Sequence, residues 1–213
     1  FSVRSFIMVL KHLSSLNEKS ILLGSGSPRR RELLTQMGLT FKVQPSGFAE
    51  DLDKSTFSDP RDYVSQTSLK KAEYLANECQ DDVDILICAD TVVIVSIDEK
   101  WKILEKPANK EEAMEMMRLM SGKEHFVVTA VTIILPKTNI TQCFYEETKV
   151  KFGCLSEEDI DIYCDTDEPY DKAGGYGIQG KAGLFVESIN GCYYNVMGFP
   201  IYRIAKEISK LYE

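Results

Sequence analysis

The chain has no run of apolar residues near the ~20 needed to cross a bilayer as a helix, so no membrane partner is expected. It has only two histidines: His12 lies in the N-terminal extension, outside the expected core, and His125 has no obvious nucleophile partner. That excludes a Ser-His-Asp triad or a Cys-His pair as the reading to pursue. The six cysteines (79, 88, 143, 154, 164 and 192) form no Cys-x-x-Cys pair and no zinc-like spacing with the histidines; they read as reduced thiols of a cytoplasmic protein. Basic residues are outnumbered 33 to 25 by acidic ones, and the net charge of −8 argues against a nucleic-acid partner. A Walker A lysine motif is missing, so any phosphate site is not of the P-loop kind. Repeats, low-complexity stretches and linkers are also lacking, which leaves one α/β domain. Phe1–Ile7 has neither the apolar core nor the cleavage pattern of a targeting peptide. Residues 1–19 are read as a leader and N-terminal extension, and 20–213 as the domain.

What is present begins at Ile21–Leu23, a short buried strand, followed by Gly24-Ser25-Gly26-Ser27 and a helix with Pro28 at its first position and Ser27 as its cap. Arg29 and Arg30 sit in the first turn, where two cations oppose the helix dipole unless an anion joins them. Free backbone N–H groups, the hydroxyls of Ser25 and Ser27 and two guanidiniums make that turn a candidate phosphate site; the alternative is a capped helix with solvated arginines. Further elements are a strand at Thr40–Val43, a helix from Pro60 to about Cys79, and a buried strand at Ile85–Ala89. A hairpin excursion follows over Val92–Leu104, then a helix over Lys110–Met120 capped by Asn109. His125–Leu135 and Cys143–Phe152 read as antiparallel strands, Ser156 caps a helix to Cys164, and a final strand and helix occupy Leu184–Ser188 and Pro200–Tyr212.

Asp90 is the sharpest carboxylate. It follows Ile85–Ala89, so it is expected at the carboxyl end of a buried strand, where α/β proteins place ligands. A capping aspartate would need a helix after it, and Thr91-Val92-Val93 continues extended. Glu50 lies in a polar loop, and Lys71 beside Lys70 reads by default as part of a solvated face. Pro107 holds Lys106 extended, which lets it project into a cleft or simply stand in a loop. The segment Glu168–Gly180 is glycine-dense and suits a close approach of backbone to a flat ligand, with Gln179 offering a paired donor and acceptor. His125 is read as a structural histidine at a strand end.

Together these segments resemble the Maf family of nucleoside triphosphate pyrophosphatases over residues 20–212. The matching blocks are Ser25–Arg30, Ala89–Val93, Glu105-Lys106-Pro107, Ser121–His125 with Thr129–Val131, Glu168–Gly180 and Asn195–Pro200. Phe144–Phe152 is similar to the version of the domain that precedes a methyltransferase-like half in animal proteins. The resemblance implies a fold like that of the inosine triphosphate pyrophosphatases, a long bent mixed sheet with flanking helices and two lobes around a cleft. It implies metal-assisted hydrolysis of a nucleoside triphosphate to monophosphate and pyrophosphate, with Asp90 as proton acceptor and Glu50 and Asp90 holding Mg2+ or Mn2+. By the same resemblance Ser25, Arg30, Lys71 and Lys106 contact the triphosphate, while Arg29, Thr91 and Gln179 mark the dTTP/UTP-specific branch; modified nucleotides stay open as further substrates. A non-catalytic nucleotide-binding regulator of cell division is the alternative. Family analogy also suggests a homodimer, for which Val127–Leu135 could supply an apolar face. The chain departs from the usual pattern at Gly24, where many members have alanine, a change expected to be harmless in a turn. It departs again at Glu105, where many have glycine.

Overall fold

A computed structural model describes residues 9–78 and 82–211; the expected leader at 1–7, Cys79 and the end of the last helix at Tyr212 lie outside them. The helices are α1 (Leu13–Asn17), α2 (Pro28–Gln36), α3 (Pro60–Glu78), α4 (Lys110–Met120), α5 (Glu157–Cys164), α6 (Tyr193–Val196) and α7 (Ile201–Lys210). The strands are β1 (Ile21–Leu23), β2 (Lys42–Val43), β3 (Ile85–Ile97), β4 (Lys100–Leu104), β5 (Glu124–Leu135), β6 (Ile140–Phe152) and β7 (Val186–Asn190). The expected caps are in place: Ser27, Asn109 and Ser156 each accept the backbone N–H three residues on.

The seven strands make one mixed sheet in the order β2-β1-β3-β5-β6-β7, with β4 attached to β3. β3 pairs along one edge with β5 from Leu86 to Ile94. Its other edge is shared. β1 lies parallel to Ile85–Ile87, β4 runs antiparallel to Val93–Ile97, and the strand between them is left without a neighbour on that side. This fork corrects the expectation for Asp90. β3 does not stop at Ala89; Asp90 sits in the middle of a 13-residue strand, and what ends beside it is β1. The apolar run fixed where the strand is buried, but only the neighbouring strands determine where the sheet opens.

The side-chain period of two divides β3 between two environments. Ile85, Ile87 and Ala89 join one core with α2 and α7 residues such as Leu33, Leu34, Ile204 and Ile208. Val93 and Val95 join a second core with Met117, Met120, Phe152 and Tyr163 from α4, β6 and α5. These are two lobes, one on either side of the fork. Cys88, Val92 and Ile94 face the other way, toward α3. The N-terminal extension contributes too: Leu16 of α1 is fully buried in the first core. The apolar stretch Val127–Leu135 is no docking face, because β5 lies between β3 and β6 and its Val127, Val128, Val131 and Ile133 are buried inside this chain.

Gly24 also departs from expectation. A Cβ there would stand 2.3 Å from Cys88 Sγ and 2.8 Å from Leu75 Cδ2, so alanine is not harmless in this chain. The glycine and the buried cysteine fill one space between them.

Candidate active site

At the fork lies a cleft of about 610 Å3, within the size range of small-molecule sites. Ser25, Ser27, Arg29, Arg30, Glu50, Lys71, Asp90, Thr91, Lys106 and Gln179 all line it. Every candidate site residue is therefore brought to one place, from segments as far apart as β1–α2 and the glycine-dense loop.

The pleat of β3 sends Asp90 and Thr91 to opposite faces. Asp90 points to α3, where Lys71 Nζ lies 2.7 Å from its Oδ1. The same ammonium lies 2.8 Å from Glu50 Oε2. Lys71 is only 7% exposed and Asp90 9%, so Lys71 is no solvated surface lysine. Its neighbours at helical spacing, Val64, Thr67, Ser68, Ala72 and Leu75, form the buried face of α3, while Lys70 turns outward to Glu73. Glu50 is exposed and holds a left-handed backbone, φ 55°.

On the other face, Arg30 is drawn inward and bonded throughout. Its Nε donates to Gly198 O at 3.0 Å, Nη1 to Ala89 O at 2.8 Å and Ser25 Oγ at 3.2 Å, and Nη2 to Thr91 Oγ1 at 2.9 Å. Burial lowers the Arg30 pKa, opposed by the charge of Asp90. Thr91 Oγ1 in turn pairs with Thr129 Oγ1 at 3.0 Å. Arg29 crosses the cleft to Asp171, with Nη1 2.7 Å from Oδ2 and Nη2 3.2 Å from the backbone oxygen. Both arginines are only partly exposed, and both are bonded within the protein. The protein itself supplies the carboxylate and carbonyls that the cation pair at this helix start requires.

Lys106 and Gln179 are different. Both are exposed at the cleft, and Lys106 has no ion-pair partner among the described residues. Gly174 shapes the loop before Gln179. Its φ is +69°, and a Cβ would meet Val93 Cγ2 at 2.6 Å, so only glycine fits. His125 is structural, as expected. It is fully buried, its Nε2 is 2.8 Å from the Tyr176 hydroxyl, and burial pushes its pKa down to about 3.

Sequence reasoning assigned no role to Asp171, Tyr63 or Lys54. Asp171 clips Arg29, and Tyr63 and Lys54 both bond Glu105. The one available signal was Tyr63, eight residues before Lys71 and hence on the same face of α3. No group of three or more His, Cys, Asp or Glu able to hold a metal exists among the described residues. The carboxylates of Glu50 and Asp90 nonetheless converge on one ammonium, and are oxygen donors of the kind Mg2+ or Mn2+ takes along with phosphate oxygens.

Fold and cleft together define a mixed-sheet α/β protein with a polar, cation-rich pocket at the end of its first strand. The sequence profile described as Maf-like protein matches residues 20–211, and the chain belongs to the Maf family. It is 44% identical over 205 residues to a dTTP/UTP pyrophosphatase of Bacillus cereus, covering 95% of this chain and 96% of that one. It is 45% identical over 210 residues to a human protein named probable bifunctional dTTP/UTP pyrophosphatase/methyltransferase protein. That match covers 94% of this chain but only 33% of the human one. Among solved structures, the Staphylococcus aureus Ham1 protein overlays 92% of this chain and 100% of its own at a TM-score of 0.42 and 11% identity, a likeness that carries no argument. No helix among the described residues is long and apolar enough to cross a membrane.

Proposed function

We propose that this chain is a nucleoside triphosphate pyrophosphatase that hydrolyses dTTP and UTP to the monophosphate and pyrophosphate. The observation that carries this reading is the Asp90–Lys71–Glu50 cluster, buried at one end and open to a polar cleft at the other, in a chain of this family.

In this reading Asp90 accepts the proton of the water that attacks the α-phosphorus, from a strand position that cannot swing away. Lys71 faces the phosphates beside Asp90, where charge builds on the departing pyrophosphate, and Lys106 binds the phosphate chain from the open edge, before and during the reaction alike. Arg30, expected among the triphosphate contacts, is reassigned in this reading: its hydrogen bonds go to the protein, and it acts from behind. It holds Ser25, Ala89, Thr91 and Gly198 in place, so that the β1–α2 turn presents its N–H groups and hydroxyls in a fixed array. Arg29, Thr91 and Gln179 lie where the nucleoside end of the substrate would be read. Glu50 and Asp90 would hold a divalent cation, Mg2+ or Mn2+, which when bound neutralises phosphate charge.

The test is pyrophosphate release from a panel of unmodified and modified nucleoside triphosphates with Mg2+, run beside Asp90→Asn. Release from dTTP and UTP that vanishes in the variant supports the reading. Release only from a modified nucleotide keeps the chemistry and changes the substrate. Tight nucleotide binding without release on any substrate overturns the enzyme in favour of a nucleotide-binding regulator.

A further inference from the structure

Glu105 ends the β4 arm immediately before Lys106, and it is tied on three sides. Its Oε1 accepts the Tyr63 hydroxyl of α3 at 2.7 Å. Its Oε2 pairs with Lys54 Nζ at 2.5 Å, in the turn that follows Glu50. Its backbone oxygen accepts the Gly174 N–H at 2.9 Å. Both carboxylate oxygens are therefore engaged within the protein.

The partners matter because of what they carry. Tyr63 and Lys71 lie on the same buried face of α3, two turns apart. A bond from Tyr63 to Glu105 thus sets Lys106, the next residue, at a fixed distance from Lys71. Tyr63 is 2% exposed, and burial, then the bond to Glu105, raises its pKa well above the ordinary phenol value, so it remains a donor. Behind Lys106, buried Pro107 keeps the backbone extended. The Lys54 arm reaches from the same face to the segment that holds Glu50.

We infer that Glu105 is a positioning residue that sets nucleotide affinity by registering Lys106 and the Glu50 segment against Lys71 across the mouth of the cleft. The inference rests on the pyrophosphatase reading above. Its two arms are unequal: Lys54 and Glu105 are both nearly half-exposed, where an ion pair contributes little, so the Tyr63 bond carries most of the effect. A brace of this kind acts on bound substrate and transition state alike, and its loss is read in KM.

The experiment is steady-state pyrophosphate release from dTTP, with melting temperature and Mn2+ binding measured on the same samples. Glu105→Ala is expected to raise KM by about tenfold and to leave kcat within about threefold of the unaltered protein. Glu105→Gln keeps an acceptor for Tyr63 and is expected to restore KM to within about threefold. Tyr63→Phe removes the same bond from the helix side and raises KM in the same direction, which keeps the test alive if Glu105→Ala does not fold. A lowered melting temperature with unchanged KM in Glu105→Ala or Tyr63→Phe overturns the inference. So does a Glu105→Gln as impaired as the alanine variant, or loss of Mn2+ binding with either Glu105 variant, since the charge itself would then be acting. Absence of release by the unaltered protein overturns the parent reading and this one with it; normal release with unchanged KM in the variants overturns this one alone.

Discussion

Arg30 and Lys106 both line the same cleft, and they are built on opposite terms. Arg30 is held by four hydrogen bonds to residues of the first core and the fork, while Lys106 stands exposed without an ion-pair partner among the described residues. The β1–α2 side of the cleft is a wired scaffold; the β4 side is an open edge. A cation near a phosphate site is therefore no guide to its job until its bonds are counted. On the wired side a charge orders backbone; on the open side it is available to a ligand.

The largest effect is expected between the two sides, at Asp90. Asp90→Asn should lower turnover at least ~100-fold while leaving dTTP binding, measured by calorimetry, within a few-fold. Near-normal turnover would remove Asp90 from its assigned role. Next is Arg30→Met, which strands the buried oxygens of Ala89 and Gly198. The scaffold view expects a loss of about 2 kcal/mol in urea unfolding. Lys106→Met sharpens the contrast from the open edge: kcat/KM should fall about tenfold with the urea midpoint unmoved. Reversed outcomes for these two variants would break the comparison.

Smaller effects probe the packing behind the scaffold. Gly24→Ala should cost about 1–2 kcal/mol through the clashes with Cys88 and Leu75, and adding Cys88→Ala, which removes the nearer clashing atom, should recover part of it. The weakest is a pH effect at His125. Its folded pKa, about 3, lies below the ordinary 6.5, so the unfolded chain takes up the proton first as pH falls. Stability from this source is complete above pH 6.5 and declines from there toward pH 3. The expected loss is about 1 kcal/mol between pH 7 and 5.5, read as a difference in urea midpoints that His125→Phe abolishes.

Much of this arrangement was legible in the residues. Ser27, Asn109 and Ser156 announce their helices because capping is local chemistry, and Ile85–Ala89 announces a buried strand because its apolar run is continuous. The cleft's membership was legible through family resemblance. What was hidden is what depends on partners distant in the chain. Asp90 reads as a strand end because β1, the strand that does stop beside β3, lies 64 residues upstream at the Leu23–Ile87 pair and meets β3 only through the fold. Lys71 reads as solvated because nothing local reveals that Asp90 will lie against α3. The bonds from Arg30 to Ala89 and Gly198 span 59 and 168 residues, and no spacing rule encodes them.

The continuity of β3 and β5 has a consequence for how the cleft admits a nucleotide. The two strands pair without interruption from Leu86–Ile134 to Ile94–Phe126, straight past the fork and into both lobes. A ladder shared in this way acts as a spine, and one lobe cannot rotate against the other without shearing a run of buried hydrogen bonds. The cleft walls outside this ladder include residues of 44–57, with Glu50, and of 167–185, with Gln179, and each is tied across the cleft, by Lys54 to Glu105 and by Asp171 to Arg29.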